Sequence, residues 1–547
     1  MIKDLLKYRL LIFILCGFGL PHILPGQKLY PAETVDLFSD RSVYFAGENV
    51  FYAGILNTEI SQNRLSEVVY VELIAPNGQK ISHAKLKLSE KRFNGILTVP
   101  GDVLSGYYFL RAYTKWMRNG IPSDYAYVRL KIINYLTDEL LEVNDSLIDF
   151  SLIEKTGLDD FKPWFNLDKE KYHPGEKLFI VGDSSSISAF STISLSIIPT
   201  IAKPFEKISS SNKSSGYSQL SYYPETRGLT ISGKVVSKQN HIPLPYHKVN
   251  LHFGRENDFI SVLSDTSGNF FIALPERYGN QEVFVIASSS DSNEVEVLID
   301  QDFCNKKVKL KVPQFSINKQ DNLQLLQMAQ FAQLRDVYQI PDSSKSDLMP
   351  TIPFYGSPYK TIDFDEFVPM DSLAQYITDI SSWVKVKGSK GNRKLYLSGP
   401  QPDLLYYEPL ILIDWIPVDD AERILAINTA RIKKFEVVIN PYFHGGIIYG
   451  GILSIISRKN DFAGIDFPTS GMYINFDFFS PLYLNKMVKT DVPFKNTFAW
   501  IPDLKPKTLN QPLEFIAPQL KGEYLILLQA IDKHGVKSSN YKIFTVE

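Results

Sequence analysis

Residues able to act on a substrate are few and scattered along this chain. The eight histidines include no His-x-x-x-His or His-x-x-Glu pair, and a catalytic zinc needs convergent ligands with one position left open. His241, His247 and His252 come nearest to a cluster, at spacings of six and five. They read as ordinary strand and loop histidines, and no metal is expected. Asp414, Asp419 and Asp420 bring too few neighbouring oxygens for Ca²⁺; Asp414 reads as a turn acid and the other two as a helix cap. Neither Gly-x-Ser-x-Gly nor a phosphate loop ending in Gly-Lys-Ser/Thr occurs. The glycine pairs Gly445-Gly446 and Gly450-Gly451 are flanked by Ile447, Ile448, Ile452, Leu453 and Ile455. That pattern suits a hairpin, whereas a dinucleotide loop passes from strand into helix. Gly445, Gly446, Tyr449, Gly450 and Gly451 are therefore the candidate contact hairpin for a protein partner. No catalytic, cofactor-binding or metal-binding residue is assigned, so we expect a protein without enzymatic turnover and without a cofactor.

Composition supports that reading. With 547 residues the chain is long enough for several domains. Its 58 basic and 60 acidic residues leave a charge of −2, and no dense Lys/Arg block with interleaved aromatics stands out, so nucleic acid is not an expected partner. Thirty Tyr, 35 Phe and 5 Trp favour half-buried pleated surfaces. Lys3, Lys7 and Arg9 precede an apolar run at 10–20 that is too short to span a bilayer. This is the pattern of a secretory signal peptide over 1–26, cut between Gly26 and Gln27. Cys16 falls inside that leader, leaving Cys304 as the mature chain's one thiol and excluding an internal disulfide. No later stretch reaches ~20 apolar residues, so no transmembrane segment is expected in the mature chain.

The elements that must position these residues are mainly strands. Short alternating runs at 50–56, 68–74, 80–88, 106–114 and 125–133, with Pro76-Asn77-Gly78 as a turn, predict an antiparallel sandwich over 27–135. Asp40-Arg41-x-x-Tyr44-x-x-Gly47-Glu48 returns 128 residues later as Asp168-Lys169-x-x-Tyr172-x-x-Gly175-Glu176, which predicts a second, related sandwich starting near Phe165. Each glutamate is expected to be a surface carboxylate that stabilises a turn. Serine-rich 184–221 reads as a flexible connection, so 136–227 holds the second set of strands and a linker. A third β unit over 228–312 has strands at 231–237, 248–253, 258–264, 269–274 and 282–288, with a turn at Asp265-Thr266-Ser267-Gly268. One amphipathic helix is predicted over 320–338, its stripe formed by Leu323, Leu326, Ala329, Gln330, Leu334 and Val337, with Pro341 as its stop, inside a connector at 313–349. An α+β unit follows over 350–465, with a helix at 371–380, strands at 410–414 and 434–439, and a helical turn from Ala421. Strands return over 466–547, clearest at 523–531 and 542–546 about a turn at Asp532-Lys533-His534-Gly535, and are expected to complete the sandwich begun at 165–200.

Four stretches carry a family resemblance. DRSVYFAGE and LRAYTKWMRNG (110–120) resemble the macroglobulin-type domain of exported envelope proteins. GLTISGKVVSKQNHIPLPYHKVNLHF followed by SDTSGNFFIALP resembles a carboxypeptidase regulatory-like domain, which is non-catalytic. EPLILIDWIPVDD, ILAINTARIKKFEVVIN and YFHGGIIYGGILSIISRK resemble the plug of TonB-dependent outer-membrane receptors, with Trp415 standing where such plugs usually carry Gly. FAWIPDL and GEYLILLQAIDKHG are similar to the closing strands of plug-bearing macroglobulin-type proteins. The resemblance implies a mainly β fold: several Ig/macroglobulin-like antiparallel sandwiches plus a small α+β plug-like domain. Cys304 stands in DFCNKK, so the thioester of macroglobulin traps is absent. Only 88 residues follow Lys459, whereas a receptor barrel needs well over ~200 at ~9–11 per strand.

The expected function is that of a non-enzymatic exported protein of the periplasm or outer membrane. It would bind protein partners through sheet edges and the plug-like unit, and dock on an outer-membrane β-barrel or a transport or assembly complex. An accessory role in TonB-dependent uptake is the first alternative; a cryptic hydrolase or a protease inhibitor comes after it.

Overall fold

The computed structural model describes residues 30–58, 66–142, 153–155, 163–204, 207–209, 216–253, 258–287, 295–306, 308–318, 322–338, 353–444, 447–466, 471–480, 495–532 and 537–547. Residues 1–29 with Cys16, most of the serine run at 209–215, Pro341, Gly445, Gly446 and the turn residues Lys533, His534 and Gly535 lie outside the described residues.

The fold is mainly β. In the first sandwich, Glu33–Ser39, Asn49–Thr58 and Arg92–Thr98 form one sheet. The other has the order Val43–Phe45, Ala126–Ile133, Gly106–Tyr113, Val68–Ile74, Lys80–Lys87. Alternating Val, Ile, Tyr and Leu from both sheets fill the space between, as the period of two requires. Every pairing is antiparallel except Val43–Phe45, which runs parallel to Ala126–Ile133.

The second sandwich repeats this plan strand for strand. Phe165–Leu167, Lys177–Gly182 and Leu513–Ile516 form its small sheet, and Lys171–Tyr172, Lys537–Val546, Gly522–Asp532, Phe190–Pro199 and Ala499–Leu504 its large one. Lys171–Tyr172 again pairs parallel with the last strand. The two copies differ between their fourth and fifth strands. The first reverses at Pro76-Asn77-Gly78, while the second leaves at Pro199 and returns only at Ala499, so Ile197 pairs with Ala499 across an insertion of 200–498.

Three expectations need correction. The serine-rich stretch is not a linker throughout. Asp183 caps a short helix at Ser184–Ile187, and Phe190–Pro199 is an inner strand of the five-stranded sheet, with Ile193, Leu195 and Ile197 in the core. Serine at every second position leaves the apolar alternation intact, so the serines mark one strand face. Second, 466–547 is not one unit. Gly471–Asp477 pairs with Asn280–Ala287 and belongs to the third sandwich, whose sheets are otherwise built from Thr230–Ser237, Lys248–Phe253, Asp258–Leu263, Asn269–Ala273 and Val295–Ile299. The third sandwich is therefore itself interrupted, by the α+β unit. Third, the helix Asn322–Tyr338 buries Leu325, Met328 and Ala332 against Val43, Phe45, Ile198, Leu525 and Leu527, and exposes Leu323 and Leu326. Its apolar residues occupy more than one side, so packing on the first two sandwiches selects the stripe.

The α+β unit has one sheet in the order Lys360–Asp363, Ile432–Val438, Ile452–Ser457, Leu410–Ile413, Ile416–Pro417. Leu410–Ile413 and Ile452–Ser457 pair in parallel, as expected of near-continuous apolar runs covered on both faces. Helices Leu373–Asp379 and Ala421–Leu425 and the hairpin Val384–Lys387/Lys394–Leu397 complete its core, which also takes in Phe284 and Ile286 of the third sandwich. Buried polar groups fix the first sandwich to the third. The Glu225 carboxylate accepts from Tyr70 Oη (2.8 Å) and from Thr230 N (2.8 Å), and the buried Lys85 pairs with Asp302 beneath the ring of Phe476.

Candidate protein-binding surface

Asp414 is a structural acid. Its Oδ1 accepts from Ser457 N (2.7 Å), and its Oδ2 from Ser457 Oγ (2.6 Å) and Phe462 N (2.9 Å). Asp414 and Trp415 both have positive φ, 45° and 72°, in the two-residue turn joining Ile413 to its partner Ile416. Such turns favour glycine at the second position. Trp415 is held there by stacking on Tyr355, with ring centroids 5.9 Å apart. Asp420 caps the helix Ala421–Leu425 through Glu422 N and Arg423 N, while Asp419 reaches Lys248 of the third sandwich at 3.4 Å. The three carboxylates thus serve three different backbones or partners. The histidines do not converge either: His252 is buried in its strand, His247 Nδ1 lies 2.9 Å from Pro245 O, and His241 faces Glu296. Among the described residues no group of three His, Cys, Asp or Glu could hold a metal. Cys304 is free, its Sγ 3.6 Å from Tyr125 Oη.

The glycine-rich stretch does form a hairpin, Tyr442–His444 pairing with Ile447–Tyr449. Its two faces differ. Tyr449 is buried, and its Oη lies 3.0 Å from Ser261 Oγ of the third sandwich, with Lys248 Nζ 5.0 Å from the ring centroid. Burial alone would depress the Lys248 ammonium, but Asp419 and Tyr449 more than offset it and raise its pKa. Gly450 is also sealed: its N–H donates to Glu408 O (3.0 Å), and a Cβ there would lie 2.2 Å from Tyr407 O. Gly451 follows as the buried entry to Ile452–Ser457. Tyr449, Gly450 and Gly451 therefore anchor the hairpin inside the molecule and are not open to a partner.

The outward face is the cross-strand pair Phe443 and Ile448, 69% and 38% exposed. Beside the hairpin base, the turn that packs on Gly450 displays Tyr406, 77% exposed, and Tyr407. Sequence reasoning picked the glycines and missed these side chains. The available signal was the period of two: with Tyr449 inward, Ile448 and its cross-strand partner must point out.

No protein-family model and no curated protein matches the chain. Among solved structures it is similar to trypsin-activated alpha-2-macroglobulin of Escherichia coli, at 9% identity over 95% of this chain and 42% of that one, with a TM-score of 0.23. It is also similar to Salmonella alpha-2-macroglobulin reacted with methylamine, at 11% identity over 97% and 24%, TM-score 0.16. A CARDB domain from Pyrococcus furiosus, in complex with di-metal ions, aligns at 15% identity over 19% of this chain and 96% of its own, TM-score 0.15. The chain spans less than half the length of the macroglobulin chains it matches.

Proposed function

We propose that this chain is a non-enzymatic, exported envelope protein that binds protein partners, and that its α+β unit docks on an outer-membrane β-barrel or a transport complex built around one. The observation that carries the proposal is the two-faced hairpin at 442–449. Tyr449 on one face ties it to the third sandwich, and Phe443 and Ile448 on the other stand in water next to Tyr406. Large apolar side chains held out on an anchored hairpin are the composition of an interface centre. The sandwiches place this face at the end of two nested insertions, as a rigid support would.

A photo-activatable residue at position 443, used in intact cells, tests the reading. A covalent adduct with a large β-barrel supports it; adducts with soluble proteins alone would reduce the α+β unit to a scaffold. Phe443→Asp should abolish the adducts formed from a probe at 406 while leaving the unfolding midpoint unchanged, because Phe443 is exposed.

A further inference from the structure

A second surface of the α+β unit lies on the hairpin Val384–Lys387/Lys394–Leu397, and it is independent of the one above. Its inner face is apolar: Val384, Leu395 and Leu397 pack in the core with Leu373, Tyr376 and Ile377. Alternation puts Lys385 and Lys387 on the outer face, and the half-buried Trp383 stands at its edge, packed in part against the core. Across from them the register sets Tyr396 opposite Lys385 and Lys394 opposite Lys387. Lys390 and Arg393 lie in and beside the loop between the strands, so positions 384–397 hold five cations and no acid.

Two of those cations are already matched. Glu422 takes Arg393 in a two-pronged pair and also accepts from Gly391 N (2.8 Å) and Arg393 N (3.0 Å), and its pKa is pushed down to about 2, chiefly by the guanidinium. Lys394 pairs with Glu408 at the surface. These contacts shape the hairpin and still leave an excess of positive charge. Lys387 leans over the ring of Tyr396 at 4.5 Å, and Lys387 and Lys394 stand directly opposite each other, an arrangement that repels. Trp383 meets Tyr359 edge to face at 5.1 Å, extending an aromatic margin alongside the lysines.

Exposed lysines bordered by half-buried Trp and Tyr match the composition of a membrane interface, where the rings sit among headgroups and the ammonium groups meet lipid phosphates. Protein interfaces share the aromatic residues but are depleted in lysine. Among the described residues no helix is long and apolar enough to cross a membrane. We propose that the outer face of the 384–397 hairpin docks on an anionic lipid surface, with Lys385, Lys387 and Lys390 binding headgroup phosphates and Trp383 and Tyr396 seated at headgroup level.

Co-sedimentation of the full chain with vesicles tests this. Phosphatidylcholine vesicles containing roughly one-third phosphatidylglycerol should bind the chain, pure phosphatidylcholine should not, and added salt should release it. At about fivefold per lysine, Lys385→Gln with Lys387→Gln should weaken binding about 25-fold. Lys390→Gln, at an exposed loop position that cannot unfold the unit, should weaken it about fivefold. Brominated lipid should quench part of the tryptophan emission in the intact chain, and Trp383→Phe should remove that part. Equal binding to both vesicle types, or wild-type affinity in the Lys390→Gln protein, overturns the proposal. Tighter binding to polyglutamate than to the anionic vesicles, without quenching by brominated lipid, assigns the face to an acidic protein segment instead.

Discussion

The turns of the first and second sandwiches are built by one sequence pattern in two environments. In the first, Tyr44 Oη donates to Asp40 Oδ1 (2.6 Å), Phe51 N donates to the same oxygen (3.0 Å), and Glu48 Oε2 accepts from Phe45 N (2.8 Å). In the second, Tyr172 Oη, Phe179 N and His173 N make the equivalent bonds to Asp168 and Glu176 at 2.8, 2.9 and 2.8 Å. Yet Asp40, Arg41 and Glu48 are buried, whereas Lys169 and Glu176 are part-exposed. The expectation of two surface carboxylates therefore holds for Glu176 and fails for Glu48. The first copy is covered by the point where the insertion re-enters the second sandwich. Thr497 Oγ1 donates to Asp40 Oδ2, and Asn496 Nδ2 donates to Glu48 Oε1 (2.7 Å) and to Met328 O (2.9 Å). The same turn has become an inter-domain bolt. The cation follows the environment: Arg41, weakly hydrated and forked, where the pair is dry, and Lys169 where it is wet.

If that contrast is right, equivalent substitutions must have unequal costs. Asp40→Ala removes the acceptor of Thr497 Oγ1 and Phe51 N and one of the two carboxylates at the buried Arg41, which keeps Glu48, and should destabilise by about 3–5 kcal/mol. Asp168→Ala, whose partners can turn to water, should lose about 1–2 kcal/mol. Urea unfolding of both variants checks this, and equal losses would break the comparison. A pH series sharpens it. Burial raises the Asp40 pKa above its ordinary 3.8 despite Arg41 and the donors around it. Stability tied to this group is full below that ordinary value and declines as pH rises through the folded value. Asp40→Asn removes the titration, so the wild type's advantage over it should shrink from acid toward about pH 7.

The turn itself is local, and a local substitution should not distinguish the two copies. Gly47 and Gly175 both sit at positive φ, 88° and 75°. Gly47→Ala and Gly175→Ala should each cost about 1 kcal/mol from backbone strain. At Gly175 the nearest atom to a new Cβ, 3.0 Å away, is Gln519 Nε2 at the end of a flexible chain, which can yield. A much larger loss at Gly47, measured by the same unfolding experiment, would mean that the bolt also constrains the turn.

The echo was readable because four of its five recurring positions are side chains that bond within the turn and the fifth is a glycine at positive φ; that is why the second sandwich was visible from Asp168 to Glu176. Strands whose side chains alternate were readable too, among them those expected at 68–74 and 106–114 and found at Val68–Ile74 and Gly106–Tyr113. Short or punctuated strands were not. Val43–Phe45 has three residues, and Arg92–Thr98 contains Asn94-Gly95, a turn dipeptide that here pairs in mid-strand with Ala53 and Tyr52. Gly471–Asp477 joins a strand some 190 residues earlier, and its alternation is identical whichever sheet it enters. At the candidate surface the hairpin was legible from its glycines, but which of its faces is free depends on Ser261 and Lys248, far away in sequence. The cationic face at 384–397 was passed over because its lysines alternate with core residues and form no block; only the pairing with Lys394–Leu397 gathers them on one side.

The smallest effect carries the opposite sign to that of Asp40. The Lys169 ammonium, followed by the N–H of His173, lowers the Glu176 pKa below its ordinary 4.5. A carboxylate held down in the folded state contributes stability that is present above its unfolded value and fades as pH falls toward the folded one. Because the pair faces water, the term is screened by salt and amounts to little. Glu176→Gln should therefore lower the unfolding midpoint slightly at about pH 7, and the wild type and the variant should converge as pH falls below the ordinary glutamate value. Chemical denaturation across that range, at low and high salt, distinguishes the two turns by the direction of the slope alone. A gap at position 176 that widened toward acid would place Glu176 in the same dry setting as Asp40, and the contrast between the two sandwiches would fail.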